Sequence, residues 1–141
     1  MSPLQIKMVR ETWGFVIAKS DKAGELFYSR LFEVAPGVRP LFKEDITLQA
    51  RKLMNTVTYI VTKLDKIDTI IGEVKSLAQR HKKYGALKEH YPVVGDCLIY
   101  TLKTGLGDRW NPQIEAAWIA VYKALSTAMI EAQEEVPRRF A

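Results

Sequence analysis

The chain has 141 residues, of which 48% are hydrophobic and 26% charged. These are ordinary values for a globular protein and exclude a disordered or collagen-like chain. The net charge of +5 allows attraction to an anionic partner, but the densest basic clusters, at 80–83 and 138–139, are too short for a nucleic-acid-binding surface.

No sequence feature indicates secretion or membrane insertion. The first 17 residues mix Lys7, Arg10 and Glu11 with apolar residues, unlike a signal peptide. No run approaches the ~18 apolar residues of a transmembrane helix. Cys97 is the only cysteine, which excludes an internal disulfide and a cysteine-based zinc cluster. We therefore expect one domain over residues 1–141, located in the cytoplasm and with no membrane partner.

The first half of the chain predicts three helices from apolar residues at three- and four-residue steps. The first begins at Ser2-Pro3, an N-cap and first-turn proline with Gln5 as the capping-box partner. The second is predicted over 22–34 and ends at the helix breaker 35–37. The third is predicted over 46–64 and is apolar on two sides, so it is expected to pack against more than one neighbour.

The second half predicts three more helices. One runs over 67–84. The next opens at Tyr91-Pro92 and ends near Gly105 and Gly107. The last opens at Asn111-Pro112, an N-cap and proline pair. Because no alternating strand pattern or internal repeat accompanies them, the sequence predicts an all-α fold.

His81 is the most informative polar residue of the fourth predicted helix. It continues the apolar stripe of Val74 and Leu77 instead of lying with Lys82 and Lys83. Such a histidine is either a hydrogen-bonded core residue or a metal ligand. One imidazole presented by a helix to an apolar slot is sufficient to ligate haem iron.

Tyr28 and Gln49 are polar members of otherwise apolar stripes. Since buried polar groups need partners, each either bonds to a nearby backbone group or water, or both point into one cavity and donate to a ligand. Thr56 on the same stripe is expected to bond back to its own helix. Tyr91 either anchors the start of its helix or forms a hydrogen bond near His81.

Enzyme signatures are absent from the sequence. It contains no dinucleotide-binding or phosphate-binding glycine motif, no G-x-S-x-G and no H-E-x-x-H. Two histidines and one cysteine also leave few residues for a multi-ligand metal site.

Three segments together resemble the globin family, and within it the single-domain bacterial globins allied to flavohaemoglobins. They are Pro-Leu-Phe at 40–42, the stretch 80–95 with Arg-His-Lys-Lys-Tyr-Gly and His-Tyr-Pro-Val-Val-Gly, and the stretch 106–122 with Leu-Gly and Ala-Trp. The resemblance covers nearly the whole chain. The run 49–54 is similar to that of neuroglobin-like members of this branch.

The resemblance implies a globin fold, a three-over-three helical sandwich that encloses one haem. The haem would be non-covalent haem b, since the chain has no C-x-x-C-H motif. His81 matches the proximal iron ligand, and Tyr28, Gln49 and Leu53 match the distal residues beside a bound gas. The haem-contacting positions would be Phe42, Lys52, Tyr84, Tyr91, Val94 and Leu98, of which Lys52 matches a partner of a haem propionate.

The chain departs from flavohaemoglobins at one position of the proximal side. Flavohaemoglobins have a glutamate in the last helix that forms a network with the tyrosine and the histidine. In this chain an ungapped count from Trp118 gives Gln133 at that position, where it would form the network with Tyr91. A neutral amide gives the proximal histidine less imidazolate character than a carboxylate does. This weakens the case for strong O–O activation. Glu131 and Glu134 lie close enough to change the count.

The resemblance implies reversible binding of O2, and of CO and NO, at a five-coordinate ferrous haem. The alternative is an NO dioxygenase or related haem redox enzyme. Because the chain stops at Ala141, soon after its last predicted helix, such an enzyme is expected to need a separate reductase. A gas sensor or a structural helical module is a third possibility, although no output domain is present in the sequence.

Overall fold

The computed structural model describes residues 1–43, 45–83, 85 and 88–134, apart from the side chains of 68, 71, 83, 133 and 134. These residues form six α-helices and three short 3-10 helices, with no strand among them. The α-helices are α1 (Pro3–Ile17), α2 (Ser20–Val34), α3 (Ile46–Thr62), α4 (Ile71–Lys83), α5 (His90–Leu106) and α6 (Pro112–Glu134). The 3-10 helices are Pro36–Leu41, Leu64–Ile70 and Gly107–Arg109.

Two predicted helix starts are confirmed by their hydrogen bonds. The Ser2 hydroxyl accepts from the Gln5 backbone N–H at 3.1 Å, and the Gln5 side chain accepts from the Ser2 N–H at the same distance, which completes the capping box. The Asn111 side chain accepts from the Ile114 N–H at 2.9 Å and caps α6.

The predicted start of the helix that carries His81 is wrong by four residues. Residues 64–70 instead form 3-10 turns on either side of a kink at Lys66, whose dihedral angles of −135° and 37° are non-helical. A 3-10 helix repeats every three residues, so its apolar spacing resembles the start of an α-helix in sequence. The second helix also begins earlier than predicted, at Ser20, with no side-chain cap at Lys19.

The main core lies where α1, α3, α5 and α6 meet. Trp13 and Trp118 pack against each other with ring centroids 5.9 Å apart. Each indole is hydrogen-bonded: Trp118 donates to the Thr12 hydroxyl and Trp13 to the Thr58 hydroxyl, both at 2.9 Å. These bonds satisfy the polar edge of two large buried side chains, so the core keeps their full apolar contribution.

Helix α2 crosses α3 at close range. A Cβ added at Gly24 would lie 2.7 Å from the Ala50 Cβ, so only glycine allows this approach. The crossing brings Tyr28 of α2 beside the N-terminal half of α3.

Helix α4 is set apart from α3 and α5. Among the helices of the described part of the chain, its Cα atoms come within 8 Å only of α6 and of the 3-10 helix before it, although the Tyr91 ring of α5 joins the buried cluster of α4 and α6. The region between α4 on one side and α3 and α5 on the other is called the cleft below. No helix within the described residues has the length and apolarity needed to cross a membrane.

Candidate functional site

His81 lies on α4, beside the stripe that packs against α6. The deeply buried positions of that stripe are Val74 and Ala78, and His81 itself is exposed to solvent. The expectation that His81 faces away from water is therefore wrong. It keeps the register of the stripe, seven residues after Val74, but its side chain is exposed and lies outside the buried cluster of α4 and α6.

The protonation of His81 follows from one contact. Its Nδ1 lies 2.9 Å from the Leu77 carbonyl oxygen. A carbonyl can only accept, so Nδ1 carries the proton and Nε2 carries the lone pair of the neutral ring. Although water reaches the imidazole, the protein around it disfavours the charged form, and this desolvation lowers the pKa of His81. The ring is thus held as a neutral base, with Nδ1 donating to its own helix and Nε2 carrying the lone pair.

Across the cleft, Tyr28 lies in a cluster of aromatic rings. Its ring packs edge-on against Phe42, with centroids 5.4 Å apart, and against Phe27 at 5.0 Å. Tyr28 is 3% exposed. These ring contacts fix the position of the hydroxyl.

The Tyr28 hydroxyl is hydrogen-bonded to the side chain of Gln49 on α3. Burial raises the pKa of Tyr28 to about 12, while the hydrogen bond with Gln49 acts in the opposite direction. Tyr28 therefore keeps its proton at neutral pH. The structure brings together two residues 21 positions apart that the sequence singled out separately.

Three other expected site residues join this cluster. Leu53, Val94 and Leu98 are half-buried and, like Phe42, pack against the buried cluster that contains Tyr28. They form an apolar wall contributed by α3 and α5.

Other expected residues lie elsewhere. Lys52 is exposed on α3, and Tyr91 packs behind α4 with Ala78 and Met129 instead of joining the Tyr28 cluster. Tyr84 lies outside the described residues. Gln133 belongs to α6, but its side chain is outside the described part, so the expected network with Tyr91 stays a prediction.

The sequence analysis missed two residues that support Phe42. Phe32 packs edge-on against Phe42, with ring centroids 5.5 Å apart. Arg39 stacks over Phe32 at 4.9 Å and donates to the Phe42 carbonyl oxygen at 3.2 Å. An exposed arginine in a 3-10 helix carries no sequence signal for this role.

Tyr122 fixes the start of α5 against α6. Its hydroxyl donates to the Tyr91 carbonyl oxygen at 2.6 Å. The ring lies so close to α5 that a Cβ at Gly95 would be 2.6 Å from Tyr122 Cε2. Burial raises the pKa of Tyr122 far above its ordinary value, so this hydroxyl stays a donor.

The chemistry of the cleft fits a planar metal cofactor that brings its own ligands. Among the described residues, no group of three or more His, Cys, Asp or Glu side chains is placed to hold a metal ion. One neutral imidazole and an apolar wall with aromatic residues meet the demands of haem, whose porphyrin supplies the other four ligands. These features of an all-helical fold fit haem, around which helices pack in one class of helical protein.

Comparison with known proteins gives the family. The family model described as Globin matches residues 25–129. The chain therefore belongs to the globin family, and the all-α globin fold predicted from the sequence is confirmed.

Among curated proteins, the chain is similar to flavohemoproteins. It is 32% identical to the Flavohemoprotein of Bacillus subtilis over 93% of this chain and 34% of that protein. The Flavohemoprotein of Deinococcus radiodurans is 30% identical, over 92% of this chain and 33% of that protein. The chain thus spans about a third of the length of these relatives.

Solved structures show the same fold at low sequence identity. A bacterial globin from Campylobacter jejuni superposes with a TM-score of 0.83 at 21% identity, over 95% of this chain and 97% of that one. A hexacoordinated heme protein from an anhydrobiotic tardigrade gives a TM-score of 0.86 at 17% identity, over 96% of each chain.

Proposed function

We propose that this globin binds one non-covalent haem b in the cleft, with His81 Nε2 as the proximal iron ligand. The observation that carries the proposal is the contact of His81 Nδ1 with the Leu77 carbonyl oxygen at 2.9 Å. It fixes the tautomer that leaves Nε2 free to coordinate, and it orients the ring, as second-shell partners of metal-binding histidines do.

The haem contacts follow from the cluster on the other side of the cleft. Phe42, Leu53, Val94 and Leu98 offer apolar surface to the porphyrin. Lys52 is exposed on α3 immediately before Leu53, and the resemblance makes it the proposed partner of a haem propionate. Tyr84 and Tyr91 remain predicted contacts from the resemblance alone.

We propose reversible binding of O2 as the function, with CO and NO as further ligands. Ferrous haem supplies the iron atom to which a diatomic gas bonds. The chain supplies the polar partners: when the Gln49 amide donates to the Tyr28 oxygen, the Tyr28 proton is left for the ligand. The raised pKa of Tyr28 keeps that proton in place at physiological pH.

The visible spectrum of the purified protein tests this proposal. The reduced protein under nitrogen should show the spectrum of five-coordinate ferrous haem, because a carboxamide at Gln49 is a poor iron ligand. Addition of O2 and then its removal should convert the spectrum and restore it. A protein that takes up no haem, or a six-coordinate reduced spectrum, would contradict the proposal.

NO dioxygenase activity with a separate reductase is the second candidate. The similarity to flavohemoproteins favours it. This chain has no dinucleotide-binding motif, so with O2, NO and NADH alone it should react once and stop in the ferric state. Added reductase should restore turnover, whereas sustained NADH consumption by the chain alone would contradict the need for a partner.

The cytoplasmic location expected from the sequence is part of this proposal.

A further inference from the structure

The inference concerns Gln79, a residue of α4 that neither the sequence analysis nor the family match assigns. Its side-chain N–H donates to the Ala132 carbonyl oxygen of α6 at 2.7 Å. Gln79 lies two residues before His81 and two after Leu77. It is exposed, while Ala132 is 3% exposed.

This bond adds a directional contact to an apolar interface. Within the described residues, the Cα atoms of α4 come within 8 Å of two other helices, α6 and the 3-10 helix before it. The buried cluster joins Val74 and Ala78 of α4 to Ile70, Tyr91, Met129 and Ala132. Apolar contacts are not directional, so they allow one helix to roll on another more readily than a hydrogen bond does.

The position of Gln79 around α4 makes it suited to resist that roll. At 100° per residue, Gln79 and His81 are about 160° apart around the helix axis, measured through Ala78. Ala78 lies between them on the face toward α6, so Gln79 and His81 flank the contact on opposite sides. A side chain reaches about 5–6 Å from the helix axis, so a roll of ~10° moves its end by about 1 Å.

We propose that Gln79 is a positioning residue for His81: its bond to Ala132 fixes the roll of α4 and so the placement of the imidazole in the cleft. This rests on the proposed function, since it assigns Gln79 to the proximal side of the same haem site. An error of about 1 Å is enough to weaken a functional site whose supporting contacts are loose.

The test uses Gln79→Met in the haem-bound protein, with Gln113→Met as the matched control. Methionine keeps the length of the side chain but cannot donate a hydrogen bond to the Ala132 carbonyl oxygen. Gln113 is exposed in the first turn of α6, far along the chain from Ala132. Two readouts are measured: the iron–histidine stretching band of the reduced protein by resonance Raman, and the rate of haem transfer to an excess of a haem-accepting protein.

We expect Gln79→Met to shift or broaden the iron–histidine band and to speed haem loss about five-fold, the equivalent of one hydrogen bond. Gln113→Met should change neither. If Gln79→Met fails to fold, Gln79→Asn, too short to reach Ala132, should show the same two effects.

Each other outcome overturns a definite part of the proposal. An unchanged iron–histidine band with a lower thermal midpoint would make Gln79 merely structural and refute the positioning role. Equal effects in the Gln113 control would also refute it. A wild type that binds no haem would overturn the proposed function and this inference together, whereas a haem-bound wild type with an unaffected Gln79→Met overturns the inference alone.

Discussion

Replacing Tyr28 by Phe removes one hydroxyl from the distal side of the cleft and little else. The ring contacts with Phe27 and Phe42 persist, so the cluster keeps its packing. The hydrogen bond to Gln49 is lost, which costs the fold about 1 kcal/mol. The variant should therefore fold and bind haem.

The expected effect on O2 follows from the protonation of Tyr28. Its raised pKa keeps the hydroxyl protonated, so it donates to a ligand that gains negative charge. Hydrogen bonds to charged groups contribute about 1.5–3 kcal/mol, or roughly 10- to 150-fold in affinity. Because Gln49 can still donate, Tyr28→Phe alone should fall near the lower end of that range. The double variant with Gln49→Leu should approach the upper end.

The assay is stopped-flow dissociation of O2 and of CO from the reduced protein. O2 release should accelerate in Tyr28→Phe, while CO release should change much less because bound CO is less polar. Tyr100→Phe serves as the control, since Tyr100 is exposed and its contact with Arg30 is through the ring face. An O2 dissociation rate unchanged by Tyr28→Phe would refute the assignment of the distal donor.

Two further predictions concern stability. Gly95→Ala should lower the free energy of unfolding by about 1–3 kcal/mol, because the added Cβ would lie 2.6 Å from the Tyr122 ring. Gly14→Ala should raise it by about 0.5–1 kcal/mol, because no atom lies within 4 Å of the added Cβ. Urea denaturation measures both. The hydrogen bond from Arg10 lowers the pKa of Asp65 below 3.8, so its stabilisation is present above that pH and is lost as the pH falls through the lowered value. Asp65→Asn should therefore lower the urea midpoint at pH 7 and have no such effect in acid. The control Asp108→Asn should leave the midpoint unchanged at both pH values. A loss of stability in Asp65→Asn that grows in acid would contradict the lowered pKa of Asp65.

Local signals in the sequence predicted much of the fold. Ser2 and Asn111 cap their helices as expected, because an N-cap needs only a side chain and a backbone N–H close in sequence. The 3-10 helix at 64–70 was not predicted, since its apolar spacing matches that of an α-helix and only the dihedral angles of Lys66 reveal the break.

The candidate site was predictable residue by residue but not as an arrangement. Tyr28 and Gln49 each stand out as polar residues in apolar stripes, but their mutual hydrogen bond depends on the close crossing of α2 and α3 at Gly24. Contacts such as Gln79 with Ala132 join residues 53 positions apart, and no periodicity encodes them. Tertiary packing, rather than local pattern, decides these contacts.

The central claim is that His81 is the iron ligand, and His81→Gly tests it most directly. The variant should lose haem or its intense absorption band near ~400 nm, and added imidazole should restore the five-coordinate reduced spectrum by occupying the space of the missing ring. His90→Gly, the only other histidine variant, should leave the spectrum unchanged. A His81→Gly protein that keeps the wild-type spectrum without imidazole would contradict the account.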